Sequence, residues 1–164
     1  MKQLGLFGQE RELLQEMRVQ WRETIDHQGG HCPVCDRWGK VYARAINKTM
    51  ARSLIWLCNA NPVELDWVDV PSQAPRWLVR SNQLPTLRWW GMVERRSNDD
   101  EHKKFSGMWR PTWFGIQFAL GKAEAPKKVF TYAGEVEGIS AETTTIHGCF
   151  KDYFDYEATM KEMR

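Results

Sequence analysis

Residues 84–118 read LPTLRWWGMVERRSNDDEHKKFSGMWRPTWFGIQF, and this stretch decides the predicted fold. It opens with a helical pattern in which Pro85 stands in the first turn, where its missing N–H costs little. Residues 92–96 and 108–112 are predicted to be strands, because aromatic and β-branched side chains there are bounded by turn residues. The polar and charged residues 97–107 form the loop between them. The stretch therefore predicts a short helix followed by a β-hairpin.

Further helical patterns flank this stretch. Residues 9–27 carry apolar side chains at three- and four-residue steps, which predicts an amphipathic helix. A second helix is predicted over residues 48–60 with Asn47 as its N-cap, and another over residues 113–120, beginning at Thr112 and ending at Gly121. The tail is predicted to form a small β-hairpin over 129–139 and a closing helix.

This order of elements resembles a winged helix-turn-helix, in which a short helix ends near a glycine and runs into a strand. Trp90-Gly91-Met92 and the pattern from Gly107 to Thr112 stand at the matching places. The resemblance implies a winged-helix core, and with the Cys-x-x-Cys turn and the small C-terminal hairpin and helix the predicted fold is α+β and mainly helical. The predicted parts are a flexible N-terminal peptide, a winged-helix core with its N-terminal helix and the Cys-x-x-Cys turn, and a tail, over residues 1–8, 9–121 and 122–164.

Three motifs together resemble a group of uncharacterised bacteriophage proteins. They are the turn Cys32-Pro33-Val34-Cys35, the helix from Met50 to Ile55 and the hairpin just described. The resemblance covers residues from about 30 to 160 of this chain. It implies a fold and a phage origin, but no chemistry is established for that group.

Charge is concentrated in the middle of the chain. The 164 residues carry a formal net charge of only +2. Residues 36–58 sum to +4, from five basic residues and one acidic residue, and residues 76–110 sum to +4, from eight basic and four acidic residues. Such blocks favour a nucleic-acid surface in the centre of the chain. Ordinary solvated surface charge is the alternative.

If the resemblance holds, Arg88 on the short helix is the candidate reader of base edges, since arginine can bind guanine with two hydrogen bonds. The loop 97–107 would lie against the DNA backbone. Asp99, Asp100 and Glu101 in this loop would repel phosphate, and a purely protein-binding hairpin is the alternative. The candidate phosphate contacts are basic residues that position DNA without specifying its sequence: Lys48, Arg52, Arg95, Arg96, Lys103, Lys104 and Arg110.

The cysteines suggest a structural zinc site. Cys32 and Cys35 supply half of a tetrahedral ligand set, and His147 with Cys149 is the tidiest second pair. His27, His31 and Cys58 are further candidates for the second pair. The alternative is a reduced pair in a tight turn. No His-x-Glu or His-Glu-x-x-His pattern for catalytic zinc is present, and the chain is predicted not to be an enzyme.

The first residues resemble the peptide by which bacterial polymerases and repair proteins bind the sliding clamp, a Gln-Leu-x-Leu-Phe pattern. The residues that match are Gln3, Leu4, Leu6 and Phe7, with Gly5 at the centre where Ser or Asp is usual. In that family Gln occupies a polar subsite and the apolar residues fill a pocket. The alternative is that the three apolar side chains pack under the first helix.

These observations predict a phage-type protein that binds duplex DNA in replication, repair or transcription control, with the sliding clamp as a second partner. No run of eighteen apolar residues is present, so no membrane contact is expected, and the expected location is the cytoplasm, of the host if phage-encoded. A homodimer is an open alternative. The competing hypothesis is an inhibitor or adaptor that occupies the host clamp or a host defence complex without binding DNA.

Overall fold

The computed structural model describes residues 4–60, 66–98, 100–102 and 105–150, with side chains from residue 8 onward. The chain divides into two compact units, each built from two separate stretches. Unit 1 comprises Met1–Arg44 and Phe130–Gly138, and unit 2 comprises Ala45–Val129 and Ile139–Arg164. The domain division predicted from the sequence, into residues 1–8, 9–121 and 122–164, stays a prediction.

The prediction of a mainly helical, winged helix-turn-helix α+β fold is wrong at the level of fold class. The described part of the chain is mixed α/β, with 42% helix and 23% strand in several small sheets. The strands of the described residues form four sheets of two or three strands each. A strand of two residues has no alternation of polar and apolar side chains to detect, so the sequence overstated the share of helix.

The helices of the described residues are of two types. The α-helices are α1 (Leu4–Thr24), α2 (Lys48–Ala60), α3 (Val70–Gln73), α4 (Arg76–Ser81) and α5 (Trp113–Ala119). The 3-10 helices are Leu84–Trp90, called the 84–90 helix below, and His147–Cys149. The helix expected to approach a DNA groove is therefore a tighter 3-10 helix rather than an α-helix.

The strands are short, and the longest have five residues. They are β1 (Gly30–His31), β2 (Trp38–Gly39), β3 (Tyr42–Ala45), β4 (Val68–Asp69), β5 (Val93–Arg95), β6 (Met108–Pro111), β7 (Ala125–Pro126), β8 (Lys128–Tyr132), β9 (Glu135–Ile139) and β10 (Thr143–Thr144). The predicted hairpins are confirmed as β5 with β6 and as β8 with β9. The predicted closing helix lies beyond Phe150, outside the described residues.

Helix α2 is the centre of the core of unit 2. Ala51, Leu54, Ile55 and Leu57 are fully buried on it, and α2 contacts α5, β6 and the 84–90 helix. The Asn47 side chain accepts a hydrogen bond from the backbone N–H of Met50 at 2.9 Å, which satisfies one of the free donors at the helix start. The predicted second helix and its N-cap are therefore confirmed.

A three-stranded antiparallel sheet with the order β4-β6-β5 packs on this helix. Val68 and Arg95 are both paired with Trp109, one on each side of β6. Val68, Val93 and Trp109 are buried, so one face of the sheet belongs to the core. On the other face Glu94 is paired with Arg110. The alternation along β6 thus separates the core from the solvent-facing charges.

The 84–90 helix, β5 and α5 meet at one polar junction. Thr112 donates from its backbone N–H to Met92 O at 3.0 Å and from its hydroxyl to Gly91 O at 2.6 Å. The same hydroxyl accepts the backbone N–H of Gly115 at 3.0 Å, so Thr112 is the N-cap of α5, at the predicted start of this helix. A Cβ at Gly115 would overlap the Met92 carbonyl, so only glycine allows this close approach.

Unit 1 is held together by α1 and by the three-stranded sheet with the order β3-β8-β9. Most residues of this sheet belong to unit 1. Trp21 of α1 donates from its indole N–H to the Tyr132 hydroxyl of β8 at 2.6 Å. Strands β1 and β2 form a hairpin that encloses the Cys-x-x-Cys turn. Helix α1 was predicted over 9–27 and runs instead from Leu4 to Thr24.

Replacing Gly115 by alanine is expected to destabilise unit 2 by roughly 1–3 kcal/mol, because the added methyl group would displace the Met92 carbonyl or α5. The measurement is equilibrium unfolding in urea, followed by circular dichroism and tryptophan fluorescence.

The matched control is Gln117→Ala on the same helix, where the half-buried side chain can be shortened without a clash. A Gly115→Ala protein as stable as Gln117→Ala would contradict the close packing described for this junction.

Candidate nucleic-acid interface

The hairpin of β5 and β6 presents Arg95 in a fixed position. The guanidinium carbon of Arg95 lies 4.6 Å from the ring centroid of Phe105 and 5.8 Å from that of Trp109. Arg95 is exposed, so stacking on the rings orients its charge without neutralising it. Such an arrangement suits contact with an anion, since part of the entropy of ordering the side chain is already lost.

Two further arginines of unit 2 lie over aromatic rings. The guanidinium carbon of Arg52 on α2 is 4.9 Å from the ring centroid of Trp77 on α4. Arg88 on the 84–90 helix is exposed, and its guanidinium carbon is 5.8 Å from the ring centroid of Trp89. Together with Arg110, which is described below, stacking on aromatic rings is therefore common to four of the predicted contact residues.

The remaining predicted lysines and arginines have different surroundings. Arg96 and Lys48 are exposed. The Arg96 backbone is fixed, because its N–H donates to Met108 O at 3.0 Å and its C=O accepts from the Ser106 hydroxyl at 2.7 Å. Lys103 and Lys104 lie outside the described residues.

Arg110 is already paired. Its Nε and Nη2 atoms lie 2.9 and 2.8 Å from Oε2 of Glu94, and its guanidinium carbon is 4.4 Å from the ring centroid of Trp67. The carboxylate compensates the positive charge at this position. Arg110 is thus better suited to fixing β5 against β6 than to holding a phosphate.

The acidic residues of the hairpin loop are partly engaged within the loop itself. The Asp100 carboxylate accepts the backbone N–H of His102 at 2.9 Å, and the Asp100 N–H donates to the Asn98 side chain at 3.3 Å. Asp99 lies outside the described residues, and Glu101 is exposed. The Asp100 carboxylate therefore closes a local turn, which is a structural use for one of the charges expected to repel phosphate.

The Cys-x-x-Cys turn of unit 1 stabilises a thiolate. Backbone hydrogen bonds from Val34 and then from Cys35 hold the pKa of the Cys32 thiol below its usual value. The turn is closed by Asp36, whose N–H donates to Cys32 O at 2.8 Å and whose backbone is in the left-handed region, with φ 56°. A deprotonated sulfur is the form that binds metal ions or reacts with electrophiles.

The second pair of predicted zinc ligands, His147 and Cys149, lies in unit 2. Cys149 is buried, its sulfur lies 3.4 Å from Thr145 O, and burial raises the pKa of its thiol to about 11. His147 is exposed in the same 3-10 helix. Within the described residues no group of three or more candidate ligands is found together. Cys32 and Cys35 supply two of the four ligands that zinc needs, so zinc binding stays a prediction.

The predicted clamp peptide coincides with the start of α1. Leu4, Gly5, Leu6 and Phe7 have helical backbone, whereas Gln3 lies outside the described residues. A helical first turn differs from the extended peptide that the motif implies. Binding a clamp in extended form would require this turn to unwind.

Comparison with known proteins adds no assignment. The chain matches no protein-family model, no characterised protein sequence and no solved structure. Among the described residues, no helix has both the length and the apolar character needed to cross a membrane. Function is therefore inferred from the side chains and their surroundings.

Sequence reasoning missed the aromatic partners of the arginines. Phe105 belongs to the predicted polar loop and no motif in the sequence marks Trp77, yet both rings lie under guanidinium groups. The spacing offers a weak signal, because Phe105 and Trp109 are four residues apart across a turn. The pairing itself follows from the register of β5 and β6, which the sequence does not specify.

The four thiols are expected to differ sharply in reactivity. At about pH 8, iodoacetamide should modify Cys32 and Cys35 in the native protein and spare Cys58 and Cys149 until the chain is unfolded. The reason is that burial raises the pKa of the Cys58 thiol to about 12 and that of Cys149 to about 11, so both stay protonated. Peptide mass spectrometry gives the modified fraction at each site.

A Cys35→Ser variant is the control and should lose one of the two rapid modifications. If zinc is bound at the turn, Cys32 and Cys35 should instead react only after a chelator is added. Modification of native Cys58 as fast as Cys35 would contradict its burial.

Proposed function

We propose that the protein binds duplex DNA through unit 2, with Arg88, Arg95 and Arg96 as the principal contacts. The observation that carries this proposal is the position of Arg95, which is exposed while its guanidinium group is stacked on Phe105 and Trp109. No ion pair joins Arg95 to a carboxylate of the described residues, and an oriented cation of this kind has little use inside the fold. It is suited to a ligand with negative charge.

The contact residues belong to consecutive elements with fixed geometry. Gly91 joins the 84–90 helix to β5 in a left-handed conformation with φ 67°, and its N–H donates to Arg88 O at 2.9 Å. Met92 donates to Leu87 O at 3.2 Å across the same turn. Arg88 and Arg95 are thus separated by a turn with little freedom, which supports recognition of a regular backbone such as duplex DNA.

The roles of these arginines follow from general DNA chemistry. Arg88 is the candidate for base edges, because arginine can donate two hydrogen bonds to guanine in the major groove. Arg95 and Arg96, where β5 enters the hairpin loop, are the candidates for phosphate contacts. Lys48 and Arg52 extend the basic surface, and Lys103 and Lys104 would add to it. The Arg110–Glu94 pair supports the hairpin.

The proposed setting is the cytoplasm of a bacterial host, in phage replication, repair or transcription control. This setting rests on the resemblance to phage proteins and on the two basic blocks in the centre of the chain. A structural zinc ion at the Cys-x-x-Cys turn belongs to the same hypothesis.

The test is fluorescence anisotropy of a labelled duplex at about 50 and 200 mM salt. Binding by the native chain should weaken steeply with salt, because each phosphate contact releases counterions. The variant Arg88→Ala/Arg95→Ala/Arg96→Ala should bind at least tenfold more weakly at the lower salt and should reduce the slope of log K against log salt by about two to three.

The control is Lys122→Ala/Lys127→Ala/Lys128→Ala, which removes the same charge from exposed positions of unit 2. It should retain nearly all affinity, and both variants should keep the native melting temperature within a few degrees. Equal losses of DNA affinity in the two variants would show that binding depends only on net charge and would contradict a specific contact surface. Absence of DNA binding by the native chain at the lower salt would overturn the proposal.

A second candidate function, binding to the sliding clamp of the host, is favoured by the motif at Gln3, Leu4, Leu6 and Phe7. A small set of apolar anchors can dominate such an interface. Together with DNA binding, a clamp contact would raise the local concentration of the protein on DNA. Without DNA binding, the protein would be an inhibitor or adaptor that occupies the clamp.

Surface plasmon resonance on immobilised bacterial clamp tests this candidate. Leu6→Ala/Phe7→Ala should abolish binding, since it removes both apolar anchors at the end of the motif. Leu13→Ala/Leu14→Ala is the control on the same helix, where both side chains are exposed, at 58% and 40%. Equal binding by both variants would exclude the motif as the contact.

A further inference from the structure

Unit 1 contains a cavity of about 710 Å³, within the range that small ligands occupy. Its walls come from α1, from the Cys-x-x-Cys turn with β2, and from the end of β8. All of its lining residues belong to unit 1. None of them is among the DNA contacts proposed for unit 2.

The cavity is cationic. Four basic side chains line it, and none of the lining residues is acidic. They are Arg18, Arg22, Arg37 and Lys40. Arg22 is paired at 3.0 Å with Glu135, but no ion pair with a described carboxylate is found for Arg18 or Arg37. The cavity thus keeps uncompensated positive charge, which favours an anionic ligand.

Exposed aromatic rings stand beside these cations. Trp38 is 54% exposed and Tyr42 is 46% exposed. The Trp38 ring is nevertheless held in place, because it packs closely on the backbone of Gly29 and His31 meets it nearly edge-on, with ring centroids 5.2 Å apart. A fixed and exposed indole face is a surface on which a planar group can stack.

These aromatic rings are not part of the hydrophobic core. Every residue of the buried hydrophobic cluster found among the described residues belongs to unit 2. Trp21, which also lines the cavity, is only half-buried and directs its N–H to Tyr132. The aromatic side chains of unit 1 therefore remain open around a cationic cavity instead of closing a core.

We propose that this cavity binds a nucleotide unit, a base together with its sugar phosphate, supplied by single-stranded nucleic acid. A positively charged groove combined with aromatic platforms is the recurring solution for single strands, because every base has a face that can stack. In this arrangement Trp38 stacks on a base, and Arg18 and Arg37 neutralise the adjacent phosphates. A free nucleotide has the same chemistry, and the experiment distinguishes the two sources.

The experiment measures anisotropy of a labelled oligothymidylate of about 12 nucleotides with the full chain. Trp38→Ala should weaken binding about tenfold or more, Trp38→Phe should retain most of it, and Arg18→Ala/Arg37→Ala should weaken it and lower its salt dependence. The matched control is Trp113→Ala, which removes a tryptophan of unit 2 that is 68% exposed, and it should bind as the native chain does.

Competition identifies the source of the ligand. Displacement of the oligonucleotide by thymidine monophosphate at micromolar concentration would assign the site to a free nucleotide, and displacement only by longer strands would assign it to single-stranded nucleic acid. Equal binding by Trp38→Ala and the native chain, or equal competition by polyglutamate, would overturn the proposal. The Arg88→Ala/Arg95→Ala/Arg96→Ala variant should still bind the oligothymidylate, because none of these residues lines the cavity. Failure of the duplex-DNA proposal and failure of the cavity proposal are therefore distinguishable.

Discussion

The Met92 carbonyl is the group on which the arrangement of unit 2 depends. Its oxygen accepts the Thr112 N–H at 3.0 Å, and Gly115 packs directly on the same peptide group. Because the Thr112 hydroxyl also bonds Gly91 and caps α5, the end of one helix, the start of another and the hairpin between them share a single set of contacts. None of the three elements can shift without breaking a hydrogen bond that the others use.

The arginines of the chain divide into two groups with different physical roles. Arg110 and Arg22 form ion pairs at 2.8 and 3.0 Å, so their charges are compensated within the fold, although Arg110 also lies over the Trp67 ring. Arg95 and Arg52 lie over aromatic rings without an ion pair to a described carboxylate, which fixes the guanidinium group but leaves its charge available. Counting basic residues therefore overstates the surface that can bind an anion, and the difference lies in what faces each guanidinium group.

The two units are stabilised in different ways. Unit 2 buries α2 completely along one face and packs α5 and the β4-β6-β5 sheet on it. Unit 1 depends on specific contacts, such as the Trp21–Tyr132 hydrogen bond and the close packing of Gly39 on the Trp21 ring. A unit with few buried side chains can present aromatic and cationic groups to a ligand, since those groups are not needed to fill a core.

The sequence by itself determined the elements whose signals are local. Asn47 and Thr112 mark the starts of α2 and α5 because a cap needs only the next three residues, and turn residues mark the β5–β6 and β8–β9 hairpins. Tertiary structure decided the fold class, since strands of two residues form only when a partner strand meets them. It also decided that Arg110 is paired with the Glu94 carboxylate while Arg95 lies only over aromatic rings, and it assembled the cavity of unit 1 from segments more than a hundred residues apart in the chain. Such contacts depend on long-range packing, which leaves no periodic pattern in the sequence.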